Sequence, residues 1–298
     1  MYDVQTIVNM PTNKKIGFIG LGAMGSNLAQ RLMMSGYPLG VFNRTPEKME
    51  PLMKCGAWGA KSPRELVQTS DVIVICVTDD AALREVMEGE YGAMEAARAK
   101  TVFIDMSTVS VSVTRDLANK AKRKGANWLD APVLGSPQMA MTGAMPFVVG
   151  GSKTVFEQNK DILEAIGKKI VYMGESGMGQ AAKIVHSLVC AISLVAYSEA
   201  LLLGEKLGLK RNQTLDVLLN GAVASPLLIM KAPKFKVNMF RPTTARLFNM
   251  CKDLALIAEE GIAFRQALPT LMVTKTLYDR AKQEGLGDED TSSVIKVM

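Results

Sequence analysis

The chain has 298 residues, enough for two domains of ordinary size or one large one. Hydrophobic residues make up 48% and charged residues 21%, which excludes a disordered tail, a collagen-like rod and a disulfide-rich scaffold. The net charge of +6 favours anionic ligands but is too dilute to imply nucleic acid.

Scarce residue types exclude further classes. His186 is the sole histidine, so a multi-histidine metal site is impossible and a Ser-His-Asp hydrolase would have to use it. Cys55, Cys76, Cys190 and Cys251 form no CxxC pair, which removes zinc ribbons and thioredoxin-type motifs, and nothing suggests secretion. Residues 1–14 read as a short leader without the basic and apolar regions of a signal peptide. The uncharged run from Ile184 to Ser198 is shorter than the roughly 18 to 20 residues of a membrane span. The expectation is a cytoplasmic protein with no membrane and no nucleic-acid partner.

From Lys15 onward, short β-branched runs alternate with amphipathic segments, the pattern of strands joined by crossover helices. Lys15 to Gly20 is the first strand, followed by a glycine turn and a helix to about Ser35. Pro38 to Asn43 is the second strand, after which Thr45-Pro46-Glu47 has the form of a helix start, an N-cap followed by proline. Ser70 to Val77 is apolar on both faces, as a central parallel strand should be. TVFIDMS, NWLDAPV, PFVVGG and KKIVYMG continue the series to Gly174. Residues 15–177 are therefore expected to form an α/β domain with a doubly wound, mostly parallel sheet.

After Gly177 the strand signals stop. Gly179 to Leu207 is a helical pattern apolar around most of its circumference, a helix that needs covering on several sides. NQTLDVLLN, Pro226 to Val237 and LALIAEEGIAF are helical too. Residues 178–298 are expected to form an all-α substrate and oligomerisation domain that makes the protein a homo-oligomer.

Gly20-Leu21-Gly22-Ala23-Met24-Gly25 matches GxGxxG directly after a strand and before a helix, the context that motif requires for dinucleotide binding. Gly20 permits the tight turn, Gly22 the close approach of a pyrophosphate, and Gly25 close packing of helix on strand. The second strand ends in Asn43-Arg44-Thr45, where an NAD enzyme places a carboxylate on the ribose. An arginine and a hydroxyl suit a 2′-phosphate instead, so NADP is expected; the competing reading is a solvated surface arginine. Val77 and Thr78, at the end of the central strand, are also expected among the cofactor contacts.

With these features the chain resembles the β-hydroxyacid dehydrogenase family, which includes 3-hydroxyisobutyrate dehydrogenase, tartronate semialdehyde reductase and the glyoxylate/succinic semialdehyde reductases. The marks are GFIGLGAMG (Gly17 to Gly25), FNRT (Phe42 to Thr45), DMST (Asp105 to Thr108), DAPVLGS (Asp130 to Ser136), GMGQAAKIVHS (Gly177 to Ser187) and KDL (Lys252 to Leu254). The resemblance implies a Rossmann domain, a nicotinamide cofactor, hydride transfer at the carbonyl or hydroxyl carbon of a small acid, and a dimer or tetramer. It makes Lys183 the catalytic acid/base and places Lys252 near substrate and nicotinamide. That assignment is chemically sound, because hydride delivered to a carbonyl creates an alkoxide that needs a proton and a nearby positive charge.

Two positions depart from the family pattern. Where DAPVSGG is usual, Leu134 replaces the carboxylate-binding serine, Gly135 is kept and Ser136 replaces the second glycine. Ser187 stands where asparagine is usual, four residues after Lys183, where it could hydrogen-bond the substrate or orient the amine. The substrate's acid group is then held by other donors, or the substrate is larger and less polar. Ser107 and Thr108 are expected at the nicotinamide side, or as caps of a helix starting near Val109. His186 is as consistent with an ordinary helix histidine as with an active-site one. The alternatives are an imine reductase, which often carries Asp or Tyr in place of Lys183, and a non-catalytic NADP-binding module.

Overall fold

A computed structural model of the chain describes residues 14–298. The expected leader lies outside the described residues, save Lys14, whose Nζ sits 2.8 Å from Asp161 Oδ1. The chain divides into two compact units between Lys183 and Ile184.

In the first unit, β1 (Ile16–Ile19) leads through the glycine turn to α1 (Gly25–Met34) and β2 (Leu39–Phe42). The helix expected at Thr45-Pro46 does not form as one piece. A three-residue turn of 3₁₀ helix, Pro46–Lys48, is followed by α2 (Glu50–Lys54), and the Thr45 hydroxyl caps nothing. Pro51 is the reason, since a helix continuous from Pro46 would need an N–H that Pro51 lacks. A two-residue strand, β3 (Trp58–Gly59), is too short to leave a sequence pattern.

Next come α3 (Pro63–Thr69), β4 (Val72–Ile75), α4 (Asp80–Glu88), β5 (Val102–Asp105), α5 (Val111–Arg123), β6 (Asn127–Asp130), α6 (Pro137–Met141), β7 (Met145–Gly151), α7 (Lys153–Ile166) and β8 (Gly167–Gly174). The strands form one sheet in the order β3-β2-β1-β4-β5-β6-β7-β8. Every pairing is parallel except β6 with β7. A parallel crossover needs a helix about as long as the strand it spans, and the five residues of α6 reach only about 7.5 Å. The chain therefore turns back instead of crossing over.

Alternation along the strands sorts the core. Ile16, Phe18, Val72, Val74, Val102 and Ile104 face the layer containing Leu28, Leu32, Phe156 and Ile162 of α1 and α7. Ile19, Ile73, Ile75 and Phe103 face Leu66, Leu83, Val113 and Leu117 of α3, α4 and α5. Helices on both faces make this a doubly wound Rossmann sheet.

α8 (Met178–Lys206) begins in the first unit and continues into the second, followed by α9 (Arg211–Asn220), α10 (Pro226–Val237), α11 (Leu247–Ala263) and α12 (Pro269–Gln283). α8 runs past Glu199, so its 29 residues are long and apolar enough, by length and composition, to cross a membrane. Leu194, Leu201, Leu215, Phe235 and Ile295 form a core of this unit. Its polar lock is Lys231, whose buried Nζ bonds Asp290 Oδ1 at 2.6 Å, Thr244 Oγ1 at 2.6 Å and Thr291 Oγ1 at 3.1 Å. Asp290 also accepts from Thr244 N, Ser292 N and Ser292 Oγ, so α10 is tied to the C-terminal segment.

Burial opposes ionisation of Asp290, but Lys231 and these donors prevail and hold its carboxyl at about 2. Its stabilisation is present above the ordinary carboxylate value and is lost as pH falls through about 2. Denaturant melts should therefore weaken progressively from pH 4 towards pH 2. Lys231→Ala, which leaves Asp290 buried and uncompensated, should cost about 3 to 5 kcal/mol at neutral pH. A Lys231→Ala protein as stable as the parent would remove the lock from this account.

Candidate active site

The glycine turn separates three functions by position. Gly20 has φ +95°, and a Cβ there would lie 2.3 Å from the Cys76 carbonyl oxygen. A Cβ on Gly25 would lie 2.0 Å from the Gly20 carbonyl oxygen, so helix and strand can approach only with glycine there. A Cβ on Gly22 would meet nothing within 4 Å, which leaves open space over that peptide. Between them, Leu21 is buried, Ala23 exposed and Met24 half-buried. The first turn of α1 carries no acidic residue and no side-chain cap. These are conditions a pyrophosphate fits: bare backbone, open space and a helix N-terminus without a competing carboxylate.

Asn43 Oδ1 accepts the Leu21 N–H at 2.8 Å and its Nδ2 donates to the Thr45 carbonyl at 2.9 Å, bracketing the turn to the end of β2. Arg44 and Thr45 are exposed, and the Arg44 guanidinium has no hydrogen bond or ion pair among the described residues. At the ends of β4 and β5, Ser107 Oγ accepts from Val77 N at 3.0 Å. Thr78 is exposed and bonds Asp79, whose carboxylate caps α4 through Ala82 N at 2.8 Å. The capping alternative for Ser107 and Thr108 does not hold. Ser110 is the cap of α5, accepting from Val113 N at 3.2 Å, and the helix starts two residues later than Val109.

In the loop after β6, Leu134 N donates to the Pro146 carbonyl at 3.1 Å, so that amide is committed. The Gly135 and Ser136 N–H groups have no partner among the described residues. Ser136 Oγ caps α6 by accepting from Met139 N at 3.4 Å, which leaves its proton free to donate. A Cβ on Gly135 would lie 2.7 Å from Met145 Sδ and 3.0 Å from Met139 Sδ, so two thioethers crowd this peptide.

Lys183 is half-buried in the second turn of α8. The start of that helix is fixed by groups the sequence reading left unassigned. Asp130 ends β6 and accepts from Gly177 N at 2.8 Å through Oδ1 and from Gln180 N at 3.0 Å through Oδ2. Burial still pushes its carboxyl up to about 6 against these donors. Its register partner on β5, Asp105, is fully buried and raised to about 7 by burial, opposed by hydrogen bonds from Ser107. The signal was available: a carboxylate ends each of two strands, VFID and NWLD, with buried apolar centres.

In the second unit, Ser187 Oγ donates to Asp253 Oδ2 at 3.1 Å and Lys252 Nζ lies 3.2 Å from Asp253 Oδ1. Asp253 thus brings together two predicted residues and was itself missed. His186 is exposed, its ring nitrogens each 3.7 Å from Cys190 Sγ one turn along α8. No cluster of metal-ligating side chains occurs among the described residues.

The class this fold and turn define is a dinucleotide-binding protein, and comparison narrows it. The NAD binding domain of 6-phosphogluconate dehydrogenase matches residues 15–174, and the NAD-binding region of NADP-dependent 3-hydroxyisobutyrate dehydrogenase matches residues 177–298. The chain is 34% identical to glyoxylate/succinic semialdehyde reductase 2 of Arabidopsis thaliana, over 95% of this chain and 79% of that protein. It is 34% identical to 2-(hydroxymethyl)glutarate dehydrogenase of Eubacterium barkeri, over 97% and 96%. Among solved structures, Mycobacterium tuberculosis 3-hydroxyisobutyrate dehydrogenase with L-serine superposes with a TM-score of 0.88 at 29% identity, covering 95% of this chain and 98% of that one. The chain belongs to the β-hydroxyacid dehydrogenase family of 3-hydroxyisobutyrate dehydrogenase-like, NAD(P)-dependent enzymes.

The turn makes a prediction that separates folding from binding. Gly22→Leu should leave the thermal midpoint within a few degrees and weaken dinucleotide binding at least about tenfold, read by fluorescence titration. Gly25→Ala should lower the midpoint itself, because its Cβ has nowhere to go. Equal effects of the two would contradict the division of roles.

Proposed function

We propose that the protein is an NADP(H)-dependent reductase of a small semialdehyde or keto acid, running in reverse as a hydroxyacid dehydrogenase. The observation that carries this is the pairing, in one unit, of a glycine turn open above Gly22 with Lys183 one turn beyond the anchored start of α8. Gly20 to Gly25 and the Asn43–Thr45 corner would hold the dinucleotide, which supplies hydride when bound; Val77, Thr78, Ser107 and Thr108 would border its nicotinamide end. The chain's own task is to hold the carbonyl compound and move one proton. Lys183 Nζ donates to the carbonyl oxygen as negative charge develops there, and a neutral Lys183 would take the proton back in the oxidative direction.

The Gly135 and Ser136 N–H groups and the Ser136 hydroxyl are assigned to the substrate carboxylate. Lys252 and Ser187, joined through Asp253, are assigned to substrate orientation. NADP is preferred over NAD because Arg44, with no partner among the described residues, stands where a ribose-binding carboxylate would be.

The same reading makes the protein a homo-oligomer. On α8, Val185, Val189 and Leu203 are 59 to 63% exposed, and Leu207 just past its end is 73% exposed. A second copy suits this surface better than lipid, since Lys183, Glu199, Glu205 and Lys206 are spaced along the same helix. Free cysteines, here all four, suit the cytoplasm.

NADPH oxidation against glyoxylate, succinic semialdehyde, an uncharged aldehyde and a cyclic imine tests the reaction, and activity only on the imine would overturn it. Lys183→Ala and Lys183→Arg should reduce turnover to a small residual rate with NADPH binding kept, since a guanidinium does not release its proton at working pH. Arg44→Ala should raise the KM for NADPH about tenfold or more and leave that for NADH nearly unchanged. Leu134→Ser adds a donor beside the acid group and should improve kcat/KM for glyoxylate more than for an uncharged aldehyde; equal gains would place the carboxylate elsewhere. Light scattering at micromolar concentration should show a dimer or larger, and a monomer would refute the oligomer.

A further inference from the structure

The side chain of Gln180 has no part in the chemistry just described, yet it is fully buried and completely used. Its Nε2 donates to the Ser107 carbonyl at 2.8 Å and its Oε1 accepts from Val109 N at 3.3 Å. Its own backbone N–H goes to Asp130 Oδ2 at 3.0 Å. One residue therefore ties the first turn of α8 to the loop after β5 and to the end of β6. The contact on β6 is close-packed as well: a Cβ on Gly179 would lie 2.5 Å from the Asp130 carbonyl oxygen and 2.8 Å from Oδ2.

Lys183 lies three residues after Gln180, one turn along the same face of the helix. Ser107, whose carbonyl receives the Gln180 amide, is the residue whose hydroxyl receives the Val77 N–H. The glutamine side chain thus joins the β5 loop to α8 in both directions of the hydrogen bond, its amide reading a donor and an acceptor on that loop. A generic core filler needs neither, and a buried amide left half-paired would cost stability.

We propose that Gln180 is a positioning residue that sets the height and rotation of Lys183 against the loop carrying Ser107 and Thr108. The inference rests on the reading of Lys183 as proton donor for its catalytic consequence, but the placement of the lysine is testable without any turnover. Displacement by about 1 Å is enough to cost up to about a hundredfold in a proton or hydride transfer. The effect should therefore fall on kcat, with binding of NADPH unchanged.

The test labels the intact folded protein with trace acetic anhydride and measures acetylation of each lysine by mass spectrometry. Gln180→Met, of similar volume and with no amide, should change the labelling of Lys183 relative to exposed Lys153 at least about threefold. Gln180→Glu keeps an acceptor for Val109 N but sets an anion against the Ser107 carbonyl; it covers the case in which Gln180→Met does not fold. Unchanged labelling of Lys183 in a folded variant overturns the proposal.

Kinetics with glyoxylate and NADPH supply the second readout. Gln180→Met should lower kcat at least about tenfold with the NADPH dissociation constant changed less than about threefold. In a Lys183→Ala background the same substitution should alter the residual rate less than about twofold, because a residue acting through Lys183 has nothing left to act on. An undiminished effect in that background overturns the proposal. If Lys183→Ala turns over like the parent, the proton-donor reading fails alone, and altered labelling of Lys183 still establishes the positioning.

Discussion

The Asp130 carboxylate is the constraint on which the geometry of the candidate site in the first unit depends. It ends β6, lies against the backbone of Gly150 and Gly179, and receives the N–H groups of Gly177 and Gln180 at the start of α8. A 29-residue helix begins with unpaired N–H groups and a positive dipole end, and a buried acceptor there settles both. The arrangement is costly. Burial raises Asp130 to about 6 and Asp105 beside it to about 7, so the stability these two groups favour is present below the ordinary carboxylate range and is lost as pH rises through 6 to 7. Two carboxyl groups are thus buried side by side at the C-terminal ends of adjacent parallel strands, at a cost in stability.

The reversal between β6 and β7 serves the same end. Because α6 is too short to cross the sheet, the segment from Ala131 to Ala144 stays at the strand ends, and Leu134, Gly135 and Ser136 are held there by the Leu134–Pro146 hydrogen bond and the cap on α6. An ordinary βαβ crossover would have carried those residues along the face of the sheet instead. The two thioethers against Gly135 then shape the loop without competing for its N–H groups.

Much of this was legible in the residues. Seven of the strands and the long helix follow from runs whose apolar period is unambiguous, and the three glycines of the turn have the separate steric duties their spacing assigns. What was not legible is of two kinds. β3 and the broken helix after Thr45 turn on two or three residues, where a register contact or a proline such as Pro51 outweighs any pattern. Gln180, Asp130 and Asp253 act through hydrogen-bond partners 47 to 73 positions away, and no local window contains such a pair. Side chains that hold a site are fixed by tertiary distance, whereas side chains that start a turn or a helix are fixed by neighbours.

On the proposed function, that distinction bears on which acid the enzyme would accept. Leu134 removes the hydroxyl that a serine would offer, but its own N–H was never free, being spent on Pro146. The donors that remain, two backbone N–H groups and the Ser136 hydroxyl, are adjacent in sequence and the last is fixed by its capping bond to Met139 N. A carboxylate can accept from such a set without the missing serine, because charge-assisted bonds to backbone donors hold an anion by geometry and not by side-chain identity. With the carboxylate held as proposed, the leucine and the two methionines would act on what lies beyond it. A flexible thioether and an isobutyl group would favour a methylene or methyl substituent there over a second polar group, so on the proposed reading Leu134 would select for the carbon skeleton of the acid and leave the recognition of its charge in place.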